Sequence, residues 1–151
     1  MSSLDALYQQ IILDHSKHPH GRGLEAGEET SHQRNPVCGD EITLALRWEG
    51  DALAAVAWEG AGCSISQSSA SLLVTLVEEL REEGPVTAAD LSQLIEEFRT
   101  AMRSRGTIEL DEERFGDAAA LSGVSRYVAR VKCAMLAWVA AEDLLARRAA
   151  G

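Results

Sequence analysis

Residues 41–58 read Glu41-Ile42-Thr43-Leu44-Ala45-Leu46-Arg47-Trp48-Glu49-Gly50-Asp51-Ala52-Leu53-Ala54-Ala55-Val56-Ala57-Trp58. Ile42, Leu44, Leu46 and Trp48 alternate with Thr43, Ala45 and Arg47, the period of two that belongs to a half-buried strand. Glu49-Gly50-Asp51 supplies a turn, and 52–59 returns as a second strand ending in Trp58. The pair predicts a β-hairpin with one apolar face.

Upstream of the hairpin, Leu4, Leu7, Tyr8, Ile11 and Ile12 recur at helical spacing. They predict a helix over 4–17, stopped by His18-Pro19 and the glycines at 21 and 23. The polar stretch 24–37 leaves room for a short edge strand. Downstream, Gly60-Ala61-Gly62-Cys63-Ser64-Ile65-Ser66 is a glycine loop, in which Ser64 or Ser66 offers an N-cap. The helix after it carries Leu72, Leu73, Leu76, Val77 and Leu80 and stops near Gly84-Pro85. Thr87, with Asp90 three residues on, predicts another capped helix reaching Ser104, striped by Leu91, Leu94, Ile95, Phe98 and Met102. Residues 105–117 read as a charged loop and 117–122 as a short helical turn. Gly123 then leads into a last helix over Ser125–Arg148. One helix, a hairpin and several further helices make an α+β fold, a small antiparallel sheet of about three strands packed against helices.

The 151 residues read as one domain spanning 1–151, with no internal repeat. A hydrophobic fraction of 46% excludes disorder as the main description, and 23 alanines point to close helix packing. The longest apolar run, Ala134 to Ala141, is eight residues, far below the ~20 a membrane span needs. Asp5 and the lack of a basic leading segment argue against a secretory signal, so a soluble, cytoplasmic chain is expected. A net charge of −10 opposes any surface that tracks phosphates, so no nucleic-acid partner is expected.

Three cysteines, an odd number, do not close into a full set of disulfides. In an extended segment the side chains of Cys38 and Asp40 point the same way. Cys63 lies at the end of the second strand and feeds a helix N-terminus, where the helix dipole and free amides favour thiolate. The start of one hairpin strand neighbours the end of the other, so Cys38, Asp40 and Cys63 belong at one end of the sheet. Cys133 sits on the last helix, which must pack on that sheet and can bring a fourth group. Three thiols and a carboxylate suit tetrahedral zinc. Thiolates at −3, carboxylate at −1 and zinc at +2 leave −2, which Arg130 and Lys132 can partly offset. The competing reading is three buried packing thiols, since cysteine is among the most buried residue types and no CxxC pair occurs.

Three blocks decide between these readings: Asn-Pro-Val-Cys-Gly-Asp at 35–40, Glu-Gly-Ala-Gly-Cys-Ser-Ile-Ser at 59–66 and Ala-Arg-Val-Lys-Cys-Ala at 129–134. With Leu-Tyr-Gln-Gln-Ile-Ile-Leu-Asp-His at 7–15 and Leu-Ser-Gly-Val-Ser at 121–125, they resemble the IscU/SufU (NifU N-terminal-like) family of iron–sulfur biogenesis proteins. The scaffold branch of that family has His before its last cysteine, where this chain has Lys132, and a Pro-Pro segment upstream that 123–128 lacks. The long stretch between Cys63 and Cys133 is similar to the insertion of the SufU-type, zinc-dependent sulfurtransferases. Val128 stands where the family commonly has proline.

The resemblance implies zinc held by Cys38, Asp40, Cys63 and Cys133, with Cys38 as sulfur acceptor. It implies a SufS-type, pyridoxal-phosphate cysteine desulfurase as partner, and downstream iron–sulfur assembly proteins after it. A histidine of the desulfurase would take a place on zinc and free the Cys38 thiolate, which Arg130 could stabilise. Two other functions stay open: a scaffold carrying a transient iron–sulfur cluster, and a structural zinc module that only docks a partner. The histidines at 15, 18, 20 and 32 match no helix-borne i, i+4 ligand pair, and His15 is expected to be structural.

Overall fold

The computed structural model describes residues 3–37 and 39–150. The elements run α1 (Ser3–Lys17), β1 (Ser31–Arg34), β2 (Glu41–Glu49), β3 (Ala52–Ala61), α2 (Ser64–Glu83), α3 (Ala88–Met102), α4 (Glu112–Phe115), a 3-10 run (Gly116–Arg126) and α5 (Val128–Ala150). The three strands form one antiparallel sheet in the order β1-β2-β3. This is the α+β arrangement that the alternation in 41–58 predicts, and the polar 24–37 stretch does supply the edge strand. Trp58 pairs with Leu44 and Val56 with Leu46, so the apolar residues of both hairpin strands share a face. A register irregularity falls at Arg47/Trp48. Gly50, at φ 62°, opens the two-residue turn in the left-handed region that glycine adopts without penalty.

α5 lies across β1 and β2, while α2 packs on β3, α1 and α5. Between them sit Ile42, Leu44, Trp58, Leu72, Leu73 and Trp138, all fully buried. Phe98 of α3 stacks on Trp138 of α5 with ring centroids 3.9 Å apart. The outer edge of β3 is covered by the chain after α1: Gly21 O accepts from Trp58 N at 3.0 Å, and Gly23 N donates to Trp58 O. A Cβ on Gly21 would stand 2.5 Å from a methyl of Val74, so this strap approaches α2 as closely as it does because residue 21 has no side chain.

The middle of α2 is polar in sequence and buried in the fold: Ser66, Ser68, Ser69 and Ser71 are all fully covered. Their hydroxyls are spent on neighbours. Ser69 Oγ donates to Ala134 O at 2.6 Å and accepts from Trp138 Nε1 at 2.9 Å, joining α2 to α5. Ser71 Oγ lies 2.7 Å from His15 Nδ1 and accepts from His20 N, joining α2 to the end of α1. His15 is thus structural, as expected. Tyr8 donates to Glu112 Oε1 at 2.8 Å, and burial with that carboxylate pushes its phenol up to about 12. Arg99 pairs with Glu142 at 2.6 Å and with Glu96, tying α3 to α5. Among the described residues no helix is long and apolar enough to cross a membrane.

Thr87 and Asp90 form the full reciprocal capping box. Three sequence expectations need correction. Neither Ser64 nor Ser66 caps α2: Cys63 occupies the cap without a side-chain bond, and Ser66 Oγ turns back to Cys63 O at 3.1 Å. The 105–117 loop holds α4, capped by Asp111 Oδ1 accepting from Glu113 N at 3.0 Å. The short turn near 117–122 is a 3-10 run that continues to Arg126, so α5 starts at Val128 and not at Ser125. Ser122 and Ser125 donate to the carbonyls three residues back, and extended Tyr127 separates the run from α5.

Two outcomes follow from this packing. Ser69→Ala is expected to strand the buried Trp138 N–H and cost about 1–3 kcal/mol, read as a lower urea midpoint at unchanged m-value. Burial and neighbouring His20 hold the His15 imidazole below its ordinary 6.5, so the unfolded chain binds the proton more readily. Stability is therefore expected to fall as pH drops below about 6.5, and His15→Asn to remove that part of the slope in melting curves across this range.

Candidate metal centre

The hairpin brings its two ends together through one carboxylate. Asp40, 3% exposed, immediately precedes β2, and Glu41 pairs with Ala61 at the end of β3. Asp40 Oδ1 accepts from Cys63 N at 3.1 Å, and Oδ2 accepts from Cys63 Sγ at 3.0 Å. Gly62 makes this approach possible. A Cβ there would lie 2.5 Å from Asp40 Oδ1, and its φ of 150° is one that side-chain-bearing residues rarely adopt.

Cys133, 5% exposed, arrives from the first turns of α5. Its place along the sheet is set by the Ser69–Ala134 bond next to it in the chain. Asn35 Nδ2 donates to Cys133 Sγ at 3.6 Å, and Asn35 Oδ1 accepts from Val37 N at 3.1 Å. The Asn35 backbone also donates to Asp40 O and accepts from Gly39 N, both at 2.8 Å. Asn35 therefore folds 35–40 into a turn and orients a thiol as well. Sequence reading gave Asn35 no role, although an Asn-Pro pair is a turn signal whose side chain bonds two residues on.

The expectation that Cys38 and Asp40 point the same way falls on Cys38, which lies outside the described residues; Gly39, between the two, has φ 75°. Asp40, Cys63 and Cys133 do meet: one ligand atom from each lies within 4.8 Å of the others. Two thiols and a carboxylate are donor types that tetrahedral zinc takes, so the set fits that ion in its chemistry. Arg130 and Lys132 precede Cys133 by three residues and one, and both are exposed. Neither pairs with a described atom of the set. Arg130 lines a groove with Tyr8, Ile12, Ile65 and Tyr127, and Lys132 lines a shallower depression with Arg34 and Asn35.

Comparison with known proteins bears on the same residues. The model of the NifU-like N-terminal domain matches residues 7–134, from α1 into α5. A zinc-dependent sulfurtransferase, SufU of Bacillus subtilis, is 36% identical over 99% of this chain and 97% of its own. The iron–sulfur cluster assembly scaffold protein IscU of Streptococcus pyogenes is 33% identical over 99% of this chain and 89% of its own. In structure, a putative iron–sulfur cluster assembly scaffold protein for the SUF system from Fervidobacterium islandicum superposes with a TM-score of 0.73 at 29% identity, covering 95% of this chain and 99% of that one. A match that contains all three cysteines, with end-to-end relatives a third identical, places this chain in the NifU-like N-terminal domain family, the IscU/SufU proteins.

Proposed function

We propose that this protein is a zinc-dependent sulfurtransferase of iron–sulfur cluster assembly, which takes persulfide sulfur from a pyridoxal-phosphate cysteine desulfurase onto Cys38. The observation that carries the reading is the convergence of Asp40, Cys63 and Cys133 at the hairpin end, with Cys38 two residues from Asp40 in the chain. The SufU relative bears that activity in its name, and Lys132 before Cys133 sets the chain apart from the His-bearing scaffold pattern. Zinc held by Cys38, Asp40, Cys63 and Cys133 would keep the thiols deprotonated and shielded until a partner arrives.

The chain's own residues do the rest. Asp40, Cys63 and Cys133 stand at the sheet end and on α5, so three ligands would remain on the metal when the Cys38 thiolate is released. The freed Cys38 thiolate attacks the outer sulfur of the desulfurase persulfide. A new S–S bond forms on Cys38, the partner's S–S bond breaks, and its cysteine leaves as thiolate, with no net oxidation or reduction. Arg130, one helical turn before Cys133, offers the counter-charge for the detached thiolate.

Protein purified without added metal is expected to hold about one zinc per chain, and chelation to lower its melting temperature. Cys63→Ser and Cys133→Ser lose both zinc and sulfur uptake, whereas Asp40→Ala weakens zinc binding and spares every thiol. Iron and acid-labile sulfide in place of zinc would establish the scaffold reading instead. Incubated with desulfurase and cysteine in the absence of iron, the wild type is expected to gain sulfur on Cys38, located by mass spectrometry of proteolytic fragments. Cys38→Ser is expected to bind the desulfurase without speeding alanine formation. Sulfur on Cys63 or Cys133 together with an active Cys38→Ser would overturn the acceptor assignment.

A further inference from the structure

Asn35 is 3% exposed, and its amide reaches from the end of β1 to α5. Both neighbours of Cys38 in the chain donate their N–H groups to it. Val37 N gives to the side-chain Oδ1 at 3.1 Å, and Gly39 N gives to the backbone O at 2.8 Å. The first of these bonds fixes the sense of the amide. A backbone N–H only donates, so it draws the carbonyl end and leaves Nδ2 facing Cys133 Sγ at 3.6 Å. The two described thiols of the set thus stand in different surroundings. Cys63 Sγ lies beside Asp40 Oδ2 at 3.0 Å and Ser66 Oγ at 4.0 Å, and Ser66 spends its hydroxyl proton on Cys63 O. Cys133 Sγ is buried and receives an N–H. Three thiolates, a carboxylate and zinc sum to −2, a charge that an interior tolerates only where donors meet it. Arg130 and Lys132 are exposed, whereas Asn35 brings its donor to the sulfur from inside the fold.

We propose that Asn35 is a positioning residue of the zinc set, whose amide, donating to the Cys133 thiolate, keeps that ligand on the metal while Cys38 is released. This role rests on the zinc site proposed above. An N–H bond draws charge off the sulfur and makes it a poorer base and a poorer nucleophile than a thiolate without one. Cys133 is then the thiol least ready to leave zinc or to attack a persulfide. One side chain also joins that sulfur to the backbone next to Cys38, so the exchanging ligand and a retained one share a fixed frame.

The test compares the full-length wild type with Asn35→Asp and Asn35→Ser. Both variants keep an oxygen able to accept from Val37 N, and neither offers the sulfur an N–H. Zinc affinity, read by competition with a chromophoric chelator, is expected to fall about 10–100-fold in each. With cobalt in place of zinc, the thiolate-to-metal charge-transfer band is expected to move to longer wavelength in both, because the sulfur becomes the richer donor. The metal-free variants are expected to melt at the wild-type temperature. In wild type loaded with an NMR-active cadmium isotope, an Asn35 side-chain amide proton is expected to couple to the metal through the Cys133 sulfur. Variants that match wild type in affinity and band position overturn the role and leave the zinc site standing. Weaker binding with an unmoved band and a lower metal-free melting temperature overturns it as well, since Asn35 then serves the fold alone. Should neither variant fold, the cadmium coupling decides: its presence upholds the role and its absence overturns it. Wild type that takes up none of these metals rejects the zinc site itself, and the role with it.

Discussion

A buried carboxylate must be met by donors or by a cation, because an isolated charge in the interior costs far more than folding can absorb. Asp40 is met by the backbone and thiol of Cys63, and this pairing determines much around it. It requires the end of β3 to come back beside the start of β2, which the hairpin register ensures. It requires residue 62 to be bare of a side chain, and it leaves Cys63 facing the same carboxylate from the cap of α2. The metal set thus grows out of a structural necessity of the sheet end.

Cys133 reaches the same place by a different route. The buried serines of α2 are small enough to let α1 and α5 close on either side, and each hydroxyl finds an acceptor or donor. A helix of leucines at those positions would hold α5 farther off, and close packing is what brings the Cys133 thiol to the other two ligands. Core packing and site geometry are therefore one problem here, solved by the same residues.

This division explains what could be read from the residues alone. The hairpin, its apolar face and the Thr87–Asp90 box rest on neighbours in sequence, and local patterns reveal them. The placement of Asp40 beside Cys63 follows from hairpin geometry and was also legible. The hidden parts depend on distant partners. Cys63 displaces both serines from the α2 cap because Asp40 holds its N–H, and the 3-10 run persists because Ala118, Ala119 and Ala120 are buried under α1, α2 and α5. Asn35 belongs to the 35–40 motif, yet its reach to Cys133 spans 98 positions and no local pattern encodes it. Arg130 stands three residues before Cys133 in the chain, and its place on the wall of the groove beside α1 is set by the fold.

The order of the elements along the chain has a consequence for biosynthesis. Every described element except α5 is made before Cys133 emerges, and α5 is what packs across β1 and β2, over buried Ile42 and Leu44. A nascent chain can pair its strands and bring Asp40 to Cys63, but it offers an ion an incomplete coordination sphere over an uncovered apolar face. If the set holds a metal as proposed, capture at full strength would wait for the last helix to settle, and loading would report on completed folding.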